Sequence, residues 1–303
     1  MAHPQIAIFA RLANGNAQTV RRIEGQKTLL GRTQHSIFVD EIHDEIVVPQ
    51  PFAGAVLTFT GGANGEMAPI RVIQGPKAGL SLNDVMTVDP VHGEYFVPVG
   101  EGGGVVNVFD RMAQGDVAPL RSIGSRAVGL GGIPSVDSEH NLLLIEGRGG
   151  LFIYDRTATG DTKPLRIITG GPKSGIGEVG GPVWIPGTRN IVCTARKFGA
   201  PAKTPDKPLN FQSADEAQTF IGVWSIDDDG DVPPRYTIGH NIFKELRNLA
   251  VDPKHKTVMA ADKTNNDITT FDFHEAWDPI TPQTAPQYLP PRGRRGAPEG
   301  DQL

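Results

Sequence analysis

Four acids crowd a single glycine in the stretch SIDDDGDVPPR, Ser225 to Arg235. Clustered carboxylates of this kind suit a divalent cation, and the spacing invites comparison with a calcium loop. An EF-hand loop needs oxygen ligands at positions 1, 3 and 5, glycine at 6 and a bidentate Glu at 12. With Gly230 at position 6, the first and last positions fall on Ser225 and Tyr236, so both ends fail. A surface calcium ion is the one cofactor this stretch would hold, and a solvated acidic turn is the alternative. A second set consists of His43, His92, His140 and His255, each in a VDxxH motif, with Arg189 in the matching place of a fifth copy. Imidazoles are zinc ligands, but a zinc site gathers its ligands within about 2.0–2.3 Å of one ion. Repeat symmetry puts these four on separate elements, where the Asp is expected to cap the turn.

The glycine of the acidic stretch recurs. Five segments align on it: ANGNAQTVRRI (Gly15), ANGEMAPIRVI (Gly65), AQGDVAPLRSI (Gly115), ATGDTKPLRII (Gly160) and DDGDVPPRYTI (Gly230). Between them three further apolar runs recur in order, for example MTVD, EYFVPV and VVNVF. Four β-branched or aromatic runs per 45 to 50 residues, parted by Gly, Pro, Asn and Asp turns, are the pattern of a β-propeller blade. We name the four strands a, b, c and d from the axis outwards. The fold class is all-β, a propeller of four-stranded antiparallel blades. Five inner strands favour five blades; a sixth c-type run, IAIFAR (6–11), keeps open a six-bladed ring that lost one a–b hairpin. Closure is expected through the chain ends, with the N-terminal TVRRI completing the last sheet. Only NIFKELRNL (241–249) reads as a short helix.

The propeller spans residues 1–277, with an insertion at 196–218, and a Pro-rich tail at 278–303 is expected to be disordered. Net charge is −5 and basic residues do not cluster outside RGRR (292–295), so no nucleic-acid partner is expected. No window is apolar enough for a membrane span, and no secretory leader is legible. The single cysteine, Cys193, sits in the strand-like NIVCTA and is expected to be a buried apolar residue.

Propeller geometry sends a–b and c–d turns to one face, and b–c turns and d–a links to the other, around the axial pocket. Chemistry is therefore sought where the repeat is broken on that second face. Four residues before the last apolar residue of each a strand stand His35, Asp84, Gly132, Gly181 and Arg247. The two glycines are expected to open space, and the His, acid and Arg to face a carboxylate-bearing or anionic ligand. Asn83, Asn248, Glu146, Arg148, Arg196, Lys197, Asp262 and Lys263 are expected to join them, and Lys203, Lys207 and His240 lie on the same face. A salt-bridged, solvated pore mouth is the plain reading of this set.

The order VDPVHGEYFVPV…VVNVFDRMAQGDVAPLRSI resembles NHL and YVTN-type propeller repeats, most closely exported bacterial propellers. The resemblance implies a bacterial, secreted protein in an extracellular or periplasmic setting. It also brings related lactonases and lyases into view. Lactonase-type propellers hold a divalent ion with Glu, Asn and Asp at the inner-strand tops; Asn83, Asp84 and Asn248 match in part, without a Glu in register. No GxSxG, HExxH, P-loop or CxxC pair is present. The leading expectation is a non-catalytic module that binds a protein or a small-molecule or carbohydrate ligand. The alternative is a hydrolase or lyase, with a divalent metal.

Overall fold

The computed structural model describes residues 4–32, 35–99, 104–200, 219–238, 243–265, 267–279 and the backbone of 287–288. The chain opens with a two-stranded sheet, β1 (Gln5–Ile8) and β2 (Arg21–Glu24). Blade 1 follows as β3 (Phe38–Asp40), β4 (Glu45–Gln50), β5 (Ala55–Thr60) and β6 (Arg71–Gln74). Blade 2 is β7 (Thr87–Asp89), β8 (Glu94–Val99), β9 (Val105–Asp110) and β10 (Arg121–Ile123). Blade 3 is β11 (Gly131–Asp137), β12 (Leu142–Gly147), β13 (Gly150–Asp155) and β14 (Arg166–Thr169). Blade 4 is β15 (Ile176–Trp184), β16 (Asn190–Lys197), β17 (Thr219–Ser225) and β18 (Tyr236–Ile238). Among the described residues blade 5 has three strands, β19 (Leu246–Asp252), β20 (Thr257–Asp262) and β21 (Asp267–Asp272). Successive inner strands β3, β7, β11, β15 and β19 are neighbours, and the Asn248 side chain reaches from blade 5 to the carbonyl of His35 at 2.7 Å. The molecule is a five-bladed β-propeller.

Alternation along each strand explains the layering, because residues of opposite parity face opposite neighbours. In β12, Leu143 and Ile145 pack towards blade 2, while Leu142 and Leu144 pack towards blade 4. In β16, Ile191 and Cys193 face blade 3 and Val192 faces blade 5. Both faces of these blades are thus buried, and the core is a set of apolar seams between blades.

The seams between blades 1 and 2, 2 and 3, and 3 and 4, and the contact of the β1–β2 sheet with blade 1, carry the same polar stitch. Gly115 N–H donates to Val72 O at 2.7 Å, and Gln74 N–H donates back to Gly115 O at 3.1 Å. Gly65 with β2, Gly160 with β10 and Gly230 with β14 repeat this parallel bridge. The central d-strand residues, Ile23, Ile73, Ile123 and Ile168, are completely or almost completely buried. The recurring glycine is required because its φ is +76° at Gly115, a conformation that side chains resist.

Two expectations need correction. TVRRI does not complete the last sheet: β2 pairs with β1, and no described strand pairs with the outer edge of β21. The reason lies in blade 1, where Ile6 and Ile23 bury against Ile46, Val48, Leu57 and Phe59. The described part of 241–249 is a bend leading into β19, because Phe243 and Leu246 are drawn into the seam between blades 4 and 5. Within the tail, β22 (Gln287–Tyr288) lies parallel to β18 as a fifth strand of blade 4. The remainder of the tail beyond residue 279 lies outside the described residues. Among the described residues no helix is long and apolar enough to cross a membrane.

Replacing Gly115 by Ala is expected to destabilise the protein by about 1–3 kcal/mol, measured as a lower urea midpoint at unchanged slope. Gly62→Ala, at an exposed glycine with open space around its Cα, is expected to stay within about 0.5 kcal/mol.

Candidate ligand-binding face

At the axis, three of the candidates come together. His35 Nδ1 lies 2.6 Å from Asp84 Oδ2, and Asn248 donates to His35 O. These residues come from the links into blades 1 and 2 and from β19, so the group spans the point where the ring closes. Both side chains of the His35–Asp84 pair are exposed. Arg247, their neighbour on β19, pairs with Glu245 at 2.8 Å.

The two glycines expected to open the axis are instead filled. A Cβ on Gly132 would run into the Glu146 carboxylate, which occupies that space. At Gly181 the place is taken by Ile133 and by the Arg247 carbonyl, 3.3 and 3.5 Å from where a Cβ would lie. Asn83 is fully buried and donates to Ala55 O at 3.0 Å, joining the link into blade 2 to β5. Asp262 is buried too and accepts from the amides of Lys244, Glu245, Thr264 and Asn265, which fixes the b–c turn of blade 5. Lys263, in the same turn, is exposed. Lys203, Lys207 and His240 lie outside the described residues.

A second focus lies between blades 3 and 4. A cleft of about 290 Å³ is lined by Gly129, Glu146, Gly147, Arg148, Gly149, Gly150, Ile176, Gly177, Glu178 and Val179. Its glycine walls expose peptide groups to an occupant. At Gly150 the backbone approach is obligatory, since a Cβ there would collide with the Ile168 carbonyl. Glu146 comes from β12, Arg148 from the β12–β13 turn and Glu178 from β15. Arg196 on β16 stands 4.0 Å from Glu178, and burial holds the neighbouring Lys197 ammonium below its ordinary pKa. Glu178 was not legible because β15 carries two register shifts, one of them directly before Glu178, where β11 and β19 carry one each. Behind the cleft, Cys193 is fully buried, and burial together with the Glu146 charge pushes its thiol pKa far up.

On the opposite face, the VDxxH pairs act locally. Asp40, Asp89, Asp137 and Asp252 each take the ring nitrogen of the His three residues on, at 2.7–2.8 Å, and its backbone amide. The acids of the opening stretch point to separate partners. Asp227 binds Arg189 through two bonds of 2.6 Å, and Asp228 binds Arg235 at 2.6 Å. Asp229 accepts from Ile167 N–H, and Asp231 from the amides of Lys173 and Ser174 in the preceding blade's exit. Among the described residues, no three His, Cys, Asp or Glu side chains gather as a metal site would require.

Two ion networks escaped the sequence reading. Glu45 joins Arg71 of its own blade at 2.6 Å to Arg111 of the next at 2.9 Å. Glu94 likewise joins Arg121 at 2.5 Å and Arg156 of blade 3.

No family model matches the chain, and no curated protein matches it in sequence. Solved structures do match, as β-propellers. Hydrazine synthase of Kuenenia stuttgartiensis superimposes with a TM-score of 0.52 at 12% identity, over 84% of this chain and 68% of that one. A candidate 6-phosphogluconolactonase from Bacteroides uniformis gives 0.54 at 12% identity, over 84% and 69%. The Cps50 (Swd1) β-propeller domain of Myceliophteria thermophila gives 0.50 at 12% identity, over 80% and 66%. At such identities the likeness establishes the architecture alone.

The Arg189 bonds and the Ser174 and Lys173 amides hold the Asp227 and Asp231 carboxyls below their ordinary pKa of 3.8. Stability from depressed carboxyls is fully present above the unfolded value and is lost as pH falls through the folded one. Thermal midpoints should therefore drop below about pH 4, and the double variant Asp227→Asn, Asp231→Asn should show a shallower drop from a lower starting midpoint.

Proposed function

We propose that the chain is a non-catalytic recognition propeller that takes a polar ligand, a protein segment or a carbohydrate-like small molecule, on the face formed by its b–c turns and d–a links. The observation that carries this is the cleft between blades 3 and 4. Glycine-walled backbone and flanking Glu146, Arg148 and Glu178 offer donors and acceptors of both signs without a nucleophile or a metal-binding set among them. Such a lining suits hydrogen-bonded recognition, where a few placed polar groups orient the ligand. Arg148 supplies the planar, bidentate donor that a carboxylate or vicinal hydroxyls would meet.

The resemblance of the repeats to NHL and YVTN-type propellers supports placing the chain among exported bacterial proteins, in an extracellular or periplasmic setting. A surface calcium ion at the acidic turn stays a minor proposal, since each of its carboxylates has a protein donor.

One observation favours a second reading, a hydrolase or lyase. The Asp84 carboxylate on His35 Nδ1 leaves Nε2 for proton transfer at an exposed position, the geometry of an oriented general base. A lactone or uronate substrate turned over by the protein, and not by His35→Ala, would establish it in place of the binding reading.

The binding reading is tested by screening glycans and peptides against the full chain, then measuring the best binder by calorimetry. The double variant Arg148→Ala, Glu178→Ala is expected to weaken it by about tenfold or more, and His35→Ala to leave it unchanged. A binder indifferent to the cleft variant, or no binder in either screen, contradicts the proposal.

A further inference from the structure

The junction between blade 5 and blade 1 differs from the other four, and it does so independently of the ligand-binding face. At the c-strand position paired with the fifth residue of the b strand stand Val56, Val106, Leu151 and Ile221, of which none is more than 1% exposed. The equivalent in blade 5 is Ile268 on β21, paired with Ala261 and 75% exposed. Across the junction, Val39 on β3 occupies the place of Val88 and Trp184, which pack against their preceding blades at 2% and 9% exposure; Val39 is 57% exposed. The β1–β2 sheet covers β4 and β5 of blade 1 but leaves this a-strand side chain open. Among the described residues, nothing pairs with the outer edge of β21. The glycine of the first repeat copy, Gly15, has the stitching conformation, φ +58°, yet its amide goes to the adjacent Asn14 side chain.

We propose that this open junction docks an extended segment of a partner polypeptide, added as the missing d strand of blade 5. Three of the four filled junctions and the β2 bridge to Gly65 define its chemistry, while the fourth junction has Tyr236-Thr237-Ile238 on β18. The strands β2, β6, β10 and β14 all carry Arg-x-Ile, with Arg21, Arg71, Arg121 and Arg166 leading and the Ile two residues on buried against the next glycine turn. The edge carries Asp267 and Asp272 at its two ends. A second copy fits less well, because end-to-end antiparallel pairing of two β21 strands sets Asp267 against Asp272. Strand addition at an exposed sheet edge draws affinity from the main chain and specificity from alternate side chains. Open apolar edges are otherwise a liability that proteins cover.

The test uses the full chain and a fluorescein-labelled peptide copying residues 117–124, VAPLRSIG, read by anisotropy. Saturable one-to-one binding is expected. Ile268→Lys, at an exposed position that leaves the melting temperature unchanged, is expected to weaken it by about tenfold or more. A control peptide, VAPLSSSG, is expected not to bind. Absence of saturable binding up to millimolar peptide, which would also result if the chain's own ends cover the edge, overturns the proposal. So does binding indifferent to Ile268→Lys, or equal binding of the control. A dimer by light scattering that Ile268→Lys converts to monomer would assign the junction to a second copy and overturn it as well.

Discussion

The architecture depends on the bridge that β2, β6, β10 and β14 each make with the glycine turn of the next sheet. A propeller blade has no covalent hold on its neighbour beyond one link, and its seam is otherwise apolar and non-directional. The two backbone hydrogen bonds of the bridge supply direction. They fix which residue of one blade opposes which of the next, and so set the register of the stitched seams. Each bond contributes about 1 kcal/mol net, and the buried isoleucine beside it about 1.5–3 kcal/mol. Glu66, Asp116 and Asp231 reinforce the bridge by accepting amides at the exit of the preceding d strand. The Glu45 and Glu94 networks hold adjacent blades together elsewhere in two of the seams.

Because the stitches hold the outer radius, the inner strand ends are free to diverge. Register shifts occur in β11, β15 and β19, and none is seen in β3 or β7. These irregular strands build the irregular face. They let Glu146 fold beneath Gly132 and bring Glu178 to the cleft, so that a five-fold frame carries an asymmetric site. The polar residues of that face consequently form two foci, His35 with Asp84 and Asn248, and the cleft between blades 3 and 4, instead of one axial ring.

The repeat itself was legible, since period-2 apolar runs and a glycine at a fixed place are local properties. The Asp of VDxxH as a turn cap was legible for the same reason, through hydrogen bonds three residues away. Residues acting between blades were not. Nothing local distinguishes Asp116, which reaches the Lys77 amide, from a solvated turn acid. Counting four residues back along each a strand assumes unbroken register, and the shifts in β11, β15 and β19 defeat that assumption for Gly132, Gly181 and Arg247. Asn83 was placed at the correct height but on the wrong side, buried against β5 instead of facing the axis. The strand TVRRI was rightly read as d-type; its choice of partner was decided by the apolar surface of blade 1, a tertiary matter.

Amide hydrogen exchange at the five repeat glycines tests the stitched, once-open ring most directly. The amides of Gly65, Gly115, Gly160 and Gly230, each bonded across a seam, should exchange as slowly as the strand interiors, opening only with global unfolding. Gly15, whose amide among the described residues goes to its neighbour's side chain, should exchange orders of magnitude faster. Equal protection at Gly15 would mean that a strand already closes the ring, and fast exchange at the other four would mean that the stitches do not hold it.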